Sequence, residues 1–171
     1  MIERRGRFAA SDAPRLGGQP GGYLGNEARF MIRNICLQDM EAVLNIWLQA
    51  SIQAHRFIDA KFWHSQLDAM RNVYLPASES HIFEREGKVC GFRSLNQNVL
   101  AALFVAPEHQ GTGIGAQLLA DAKIRRPTLE LAVYSANVPA RRFYERHGFV
   151  ALREQRDEHT GHLETLMRWE A

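Results

Sequence analysis

The segment best placed to do chemistry is Gln110-Gly111-Thr112-Gly113-Ile114-Gly115. It follows the apolar run Ala101-Ala102-Leu103-Phe104-Val105-Ala106 and opens the amphipathic stretch that begins at Ile114. Three alternating glycines thus lie between a strand and the first turn of a helix. A helix start leaves several backbone N–H groups without intrahelical partners, all pointing one way. With the positive end of the helix dipole behind them, those donors suit an anion, above all a phosphate.

Two familiar phosphate loops can be tested against this segment. A P-loop needs Gly-x-x-x-x-Gly-Lys followed by Ser or Thr, and no lysine occurs between Lys88 and Lys123. The dinucleotide pattern G-x-G-x-x-A is matched by Gly111 to Ala116. However, Pro107 to Gln110 separate the strand from the first glycine, and Glu130 opens the next strand instead of closing it. A nicotinamide-dependent oxidoreductase is therefore a weak reading.

The better match is the acyl-coenzyme A loop of the GNAT superfamily of N-acetyltransferases, whose pattern is Gln or Arg, two residues, Gly, one residue, Gly or Ala. A second segment, Asn137-Val138-Pro139-Ala140-Arg141-Arg142-Phe143-Tyr144-Glu145-Arg146-His147-Gly148-Phe149, resembles the family's N-x-x-A-x-x-F-Y-x-x-x-G-F at every position. The resemblance runs from about Met31 to the C-terminus and is closest to small single-domain bacterial members.

That resemblance implies acetyl-CoA as co-substrate and no metal. Leu103, Phe104 and Val105 would pair with the pantetheine arm like an added strand. The segment Gln110 to Ala116, Thr112 included, would hold the pyrophosphate through the N–H groups of Gly111, Gly113, Ile114, Gly115 and Ala116. Phe143 joins this coenzyme-binding set, and Asn137 is either a helix cap alone or also a ligand to the pantetheine.

Tyr144 would be the general acid. Acyl transfer from a thioester expels a thiolate, and a phenol of pKa about 10 can protonate a thiol whose pKa is about 8.5. A lysine-like amine is only about one part in a thousand neutral near pH 7.4, so deprotonating it costs roughly 4 kcal/mol. Some relatives use a glutamate on the fourth strand as base, but Val99 to Ala106 holds no acid. His55, Tyr134 and ordered water are left as base candidates, and the backbone N–H of Phe104 or Val105 as oxyanion donor. Transfer would be direct, since no cysteine stands in a matching active-site position. A non-catalytic acyl-CoA sensor or scaffold is the alternative.

These residues need elements to position them. Met40, Val43, Leu44, Trp47 and Leu48 recur at helical spacing within Gln38–Ser51. A second helix is expected from Asp59 or Ala60 to Leu75, stopped by Pro76. Between the two lies the connector Gln53-Ala54-His55-Arg56-Phe57-Ile58, which in the family walls the acceptor pocket. Strands are expected at Ser80–Arg85 and Val89–Leu95 around Glu86-Gly87, then at Val99–Ala106. A helix over Ile114–Arg125, a strand at Leu129–Tyr134, a helix over Val138–His147 and strands at Phe149–Leu152 and Leu163–Trp169 complete the chain. The order β-α-α-β-β-β-α-β-α-β-β is that of an α+β, GNAT-like fold. It implies a mixed, mostly antiparallel sheet flanked by helices, its fourth and fifth strands splayed around the coenzyme.

Composition narrows the rest. The 171 residues are 46% hydrophobic and 23% charged, an ordinary globular balance. Five arginines against three acids in residues 1–30 account for the whole net charge of +2. A body with no excess charge gives no support for a nucleic-acid partner, and no run approaches the ~20 apolar residues of a membrane span. Residues 1–30 also carry six of the thirteen glycines, so they are expected to be a flexible extension ahead of a 31–171 domain. Cys36 and Cys90 lack disulfide or zinc spacing, which suggests a reducing, cytoplasmic setting with both as small core fillers. The acceptor would be a primary amine, of a protein (lysine or N-terminus) or a small molecule, and the protein a monomer or homodimer.

Overall fold

A computed structural model describes residues 30–171. The expected flexible extension, apart from Phe30, lies outside the described residues. Among the described residues, seven strands form one sheet in the order β1-β2-β3-β4-β5-β7-β6. They are β1 Phe30–Asn34, β2 Glu79–Arg85, β3 Lys88–Asn96, β4 Val99–Val105, β5 Thr128–Tyr134, β6 Val150–Arg156 and β7 Leu163–Glu170. Every pairing is antiparallel except that of β4 with β5. The expected mixed, mostly antiparallel α+β sheet is what forms.

Local chemistry explains most of the elements. Glu86 and Gly87 both take positive φ, 52° and 74°, the conformation a two-residue hairpin needs to follow strand twist. Helix α1, Met40–Ala54, buries Val43, Leu44, Ile46, Trp47 and Leu48 against one face of the sheet. A single 3₁₀ turn, Leu37–Asp39, precedes it. There the Asp39 carboxylate accepts from Cys36 N–H at 2.9 Å and is clamped by both terminal nitrogens of Arg33. Cys36 is consequently exposed at a helix entry and not a core filler, whereas Cys90 is buried as expected.

The expected single helix from residue 60 to residue 75 is broken. It forms α2, Ala60–Ser65, then one turn, α3, Leu67–Ala69, then a π-helical turn over Met70–Tyr74. Met70 and Leu75 are both buried, and Leu75 N–H reaches back five residues to the Met70 carbonyl at 3.1 Å. Residues five apart share a face only when the turn widens, so burying both side chains selects the π geometry.

On the opposite face of the sheet, α4, Ile114–Arg125, and α5, Val138–Arg146, cover a second core around Leu119, Leu129, Leu131, Phe149 and Met167. Gly91 lets α4 approach β3: a Cβ there would meet the Phe104 carbonyl at 2.8 Å and the side chains of Ile114 and Leu118 at 3.3 Å. Arg93, fully buried, pairs with Asp121 of α4 and donates to the Glu79 carbonyl at 3.0 Å, tying that helix to β2 and β3. No helix among the described residues is long and apolar enough to cross a membrane.

Candidate active site

Strands β4 and β5 pair at one point only, where Val99, the first residue of β4, meets Glu130, the third of β5. Beyond that pair they diverge, and the gap between them opens into a cleft of about 690 Å³. One wall is the C-terminal end of α1 with His55; the other is the glycine segment and α5.

The direction of the β4 backbone follows from its register. Val105 lies opposite Gly91, and the next N–H, that of Ala106, donates to the Cys90 carbonyl at 2.9 Å. Val105 is therefore in a non-hydrogen-bonded pair, and its own N–H and C=O turn away from β3, into the gap. Leu103 does the same, while Phe104 spends its polar groups on β3. Of the two oxyanion candidates, only Val105 presents its N–H to the cleft. Its carbonyl accepts from Gln110 Nε2 at 3.2 Å, which folds the start of the glycine segment back onto the strand.

Gly111 and Gly113 adopt φ of 76° and 87°, and Gly113 is the residue from which α4 starts. A Cβ at either would meet nothing within 4 Å, so the protein itself leaves the space in front of this loop open. Gly115 and Ala116 also line the cleft. The Thr112 hydroxyl turns back to the His109 carbonyl at 2.6 Å, and the Ile114 side chain is buried with Phe83 and Leu118, so neither side chain lines the cleft.

Tyr144 is buried on α5 between Phe143 and Phe149, at ring separations of 5.2 and 5.5 Å, yet it borders the cleft. Burial pushes its pKa above the ordinary phenol value, so it is protonated at neutral pH. Tyr134 ends β5; its hydroxyl donates to Asp157 at 3.0 Å, and burial raises its pKa as well. His55 stacks on Trp63 at 5.1 Å and meets Tyr134 edge-on at 5.1 Å. Burial pulls its pKa down to about 3, which leaves a neutral ring of low basicity. Asn137 caps α5 by accepting from Ala140 N–H and also contacts His55.

All the expected site residues except Thr112 and Ile114 border this one cleft. Among the described residues, no carboxylate lines it. Sequence reasoning missed His109 and Arg146, the latter a cation two residues beyond Tyr144. A basic side chain beside an anion-seeking loop was the available signal.

Comparison with known proteins agrees with this geometry. The acetyltransferase (GNAT) domain family matches residues 31–171. Escherichia coli peptidyl-lysine N-acetyltransferase YiaC is 38% identical over 120 residues, 70% of this chain and 82% of that protein. The solution structure of apo YjaB from E. coli superposes with a TM-score of 0.74 at 24% identity, covering 82% of this chain and 97% of that one. PaiA N-acetyltransferase from Thermoplasma acidophilum, in complex with coenzyme A, gives a TM-score of 0.71 at 18% identity, covering 84% and 99%.

Proposed function

Because this chain belongs to the GNAT acetyltransferase family and is an N-acetyltransferase, we propose that it acetylates the side-chain amine of protein lysines, with Tyr144 as general acid. The observation that carries this reading is the meeting, in one cleft, of the glycine segment, the free edge of β4 and Tyr144. The lysine acceptor is supported by YiaC and YjaB, both named peptidyl-lysine N-acetyltransferases.

The residues present fit acetyl-CoA. Open space in front of Gly111 and Gly113, N–H groups at the start of α4, and Arg146 nearby suit the pyrophosphate. The edge of Leu103 and Val105 suits the amides of the pantetheine arm. Acetyl-CoA supplies the thioester-activated acetyl group and leaves as a thiol.

Val105 N–H is the oxyanion donor in this reading, held in place by strand pairing on its far side. Tyr144 holds a proton at neutral pH and delivers it to the departing sulfur. His55 and Tyr134 serve as the wall that orients the acceptor, since one is a weak base and the other donates its proton to Asp157. With no carboxylate of the described residues lining the cleft, the amine proton leaves through ordered water in this reading. Cytoplasmic residence fits two free thiols, Cys36 and Cys90.

Calorimetric titration with acetyl-CoA, with NADH as control ligand, followed by thiol release in the presence of lysine peptides, tests this reading. Saturable acetyl-CoA binding near one per chain and peptide-dependent release support it. Binding with no release over a broad amine panel favours a sensor or scaffold instead.

A further inference from the structure

Asn137 uses both ends of its amide, and the two uses fix a proton elsewhere. Ala140 N–H can only donate, so the atom it meets at 3.3 Å must be the Asn137 carbonyl oxygen. The other end, Nδ2, is a donor and lies 3.3 Å from His55 Nε2. A nitrogen that accepts carries no hydrogen, so neutral His55 must hold its proton on Nδ1. That Nδ1 is buried without a partner among the described residues, as is the Ser51 hydroxyl one turn earlier on α1.

We propose that Asn137 is a positioning residue for acetyl transfer: it fixes His55 in the Nδ1–H form and docks the α1–α2 connector on the helix that carries Tyr144. Its amide is the joint between the two walls of the cleft. The acceptor-side aromatic wall, Phe57 and Tyr134 packed on the His55 ring, is thereby registered to the start of α5, seven residues before Tyr144. The Nε2 lone pair is engaged by Asn137, so His55 offers the acceptor an oriented ring and not a free base. This deepens the lysine acetyltransferase reading and rests on it for its catalytic consequence, while the tautomer is a property of the resting protein.

The test begins with long-range ¹H–¹⁵N correlation of the His55 ring in the unmodified protein, where the Nδ1–H form is expected. Asn137→Asp keeps an N-cap acceptor for Ala140 but replaces the Nδ2 donor by a second acceptor, so hydrogen should appear on Nε2. That variant should retain its Tm, keep its acetyl-CoA KM within about twofold, and lose about ten- to a hundredfold in kcat or gain as much in acceptor KM. His55→Gln, whose amide oxygen can accept from Asn137, should keep more activity than His55→Ala. Combined with His55→Ala, Asn137→Asp should add little, because both break one contact. An Nε2–H ring in the unmodified protein, an effect confined to acetyl-CoA KM, or multiplicative losses in the double variant would each overturn the proposal. Should no amine be acetylated at all, the ring spectrum still decides it, so the two failures are distinguishable.

Discussion

The Tyr134 hydroxyl donates to the Asp157 carboxylate at 3.0 Å, pinning the β6–β7 loop to the end of the strand that forms one edge of the cleft. Thr160 closes the same cluster, its hydroxyl 2.6 Å and its N–H 3.0 Å from Asp157. Tyr134→Phe removes one member and leaves the carboxylate its Thr160 partners. The expected cost is about 1 kcal/mol of stability, with a several-fold rise in acceptor KM and no change in acetyl-CoA affinity. Thermal unfolding and steady-state kinetics check both; a rise in acetyl-CoA KM alone would assign the loop to the wrong substrate.

Two glycines only two residues apart, Gly113 and Gly115, should behave oppositely. Gly113 has φ of 87°, so Gly113→Val strains the backbone by about 1–2 kcal/mol and puts a side chain into the open loop. Gly115 lies inside α4, where a Cβ would make ordinary contacts of 3.6–3.7 Å with Phe143 and Val105. Gly115→Ala should therefore fold as well or better, by up to about 1 kcal/mol. Calorimetry should show acetyl-CoA binding lost in Gly113→Val.

Breaking the buried ion pair should be the costliest change away from the cleft. Arg93 is fully buried, and Asp121→Asn leaves its guanidinium without its carboxylate. About 3 kcal/mol of stability should be lost, read by chemical denaturation. A loss below 1 kcal/mol would mean that Glu79 alone compensates the charge.

Stability should decline on mild acidification. Burial holds His55 at about 3 and His81 at about 4, both below the 6.5 of an exposed histidine. Above pH 6.5 neither form binds protons at these sites; below it the unfolded chain takes them up first and is favoured. Each histidine then contributes a slope of up to about 1.4 kcal/mol per pH unit, through pH 4 for His81 and further for His55. A Tm that stays flat from pH 7 to pH 5 would contradict the burial of both.

The sequence made some of this legible and hid the rest for identifiable reasons. Glu86-Gly87 and Gly113 announce backbone conformations that few residues adopt, and the helix over Ile114–Arg125 has the bounds its sequence indicates, with Ile114, Leu118, Leu119 and Ala122 inward. The π turn at Met70–Tyr74 was hidden, because it answers a packing demand shared by Met70 and Leu75 and not a local preference. Which of Phe104 and Val105 faces the cleft depends on strand register, a relation between β3 and β4 that neither segment carries alone. The low basicity of His55 arises from Trp63 of α2 and Tyr134 of β5 closing around it together with Phe57 of its own connector.

The most direct measurement is turnover of Tyr144→Phe alongside its acetyl-CoA dissociation constant. The Tyr144 hydroxyl makes no hydrogen bond within the described residues, so its removal leaves the fold and the coenzyme site intact. A fall in kcat of about 10²–10⁴-fold at unchanged acetyl-CoA affinity is expected of the general acid. Unchanged turnover would contradict that role and leave Tyr144 as packing between Phe143 and Phe149.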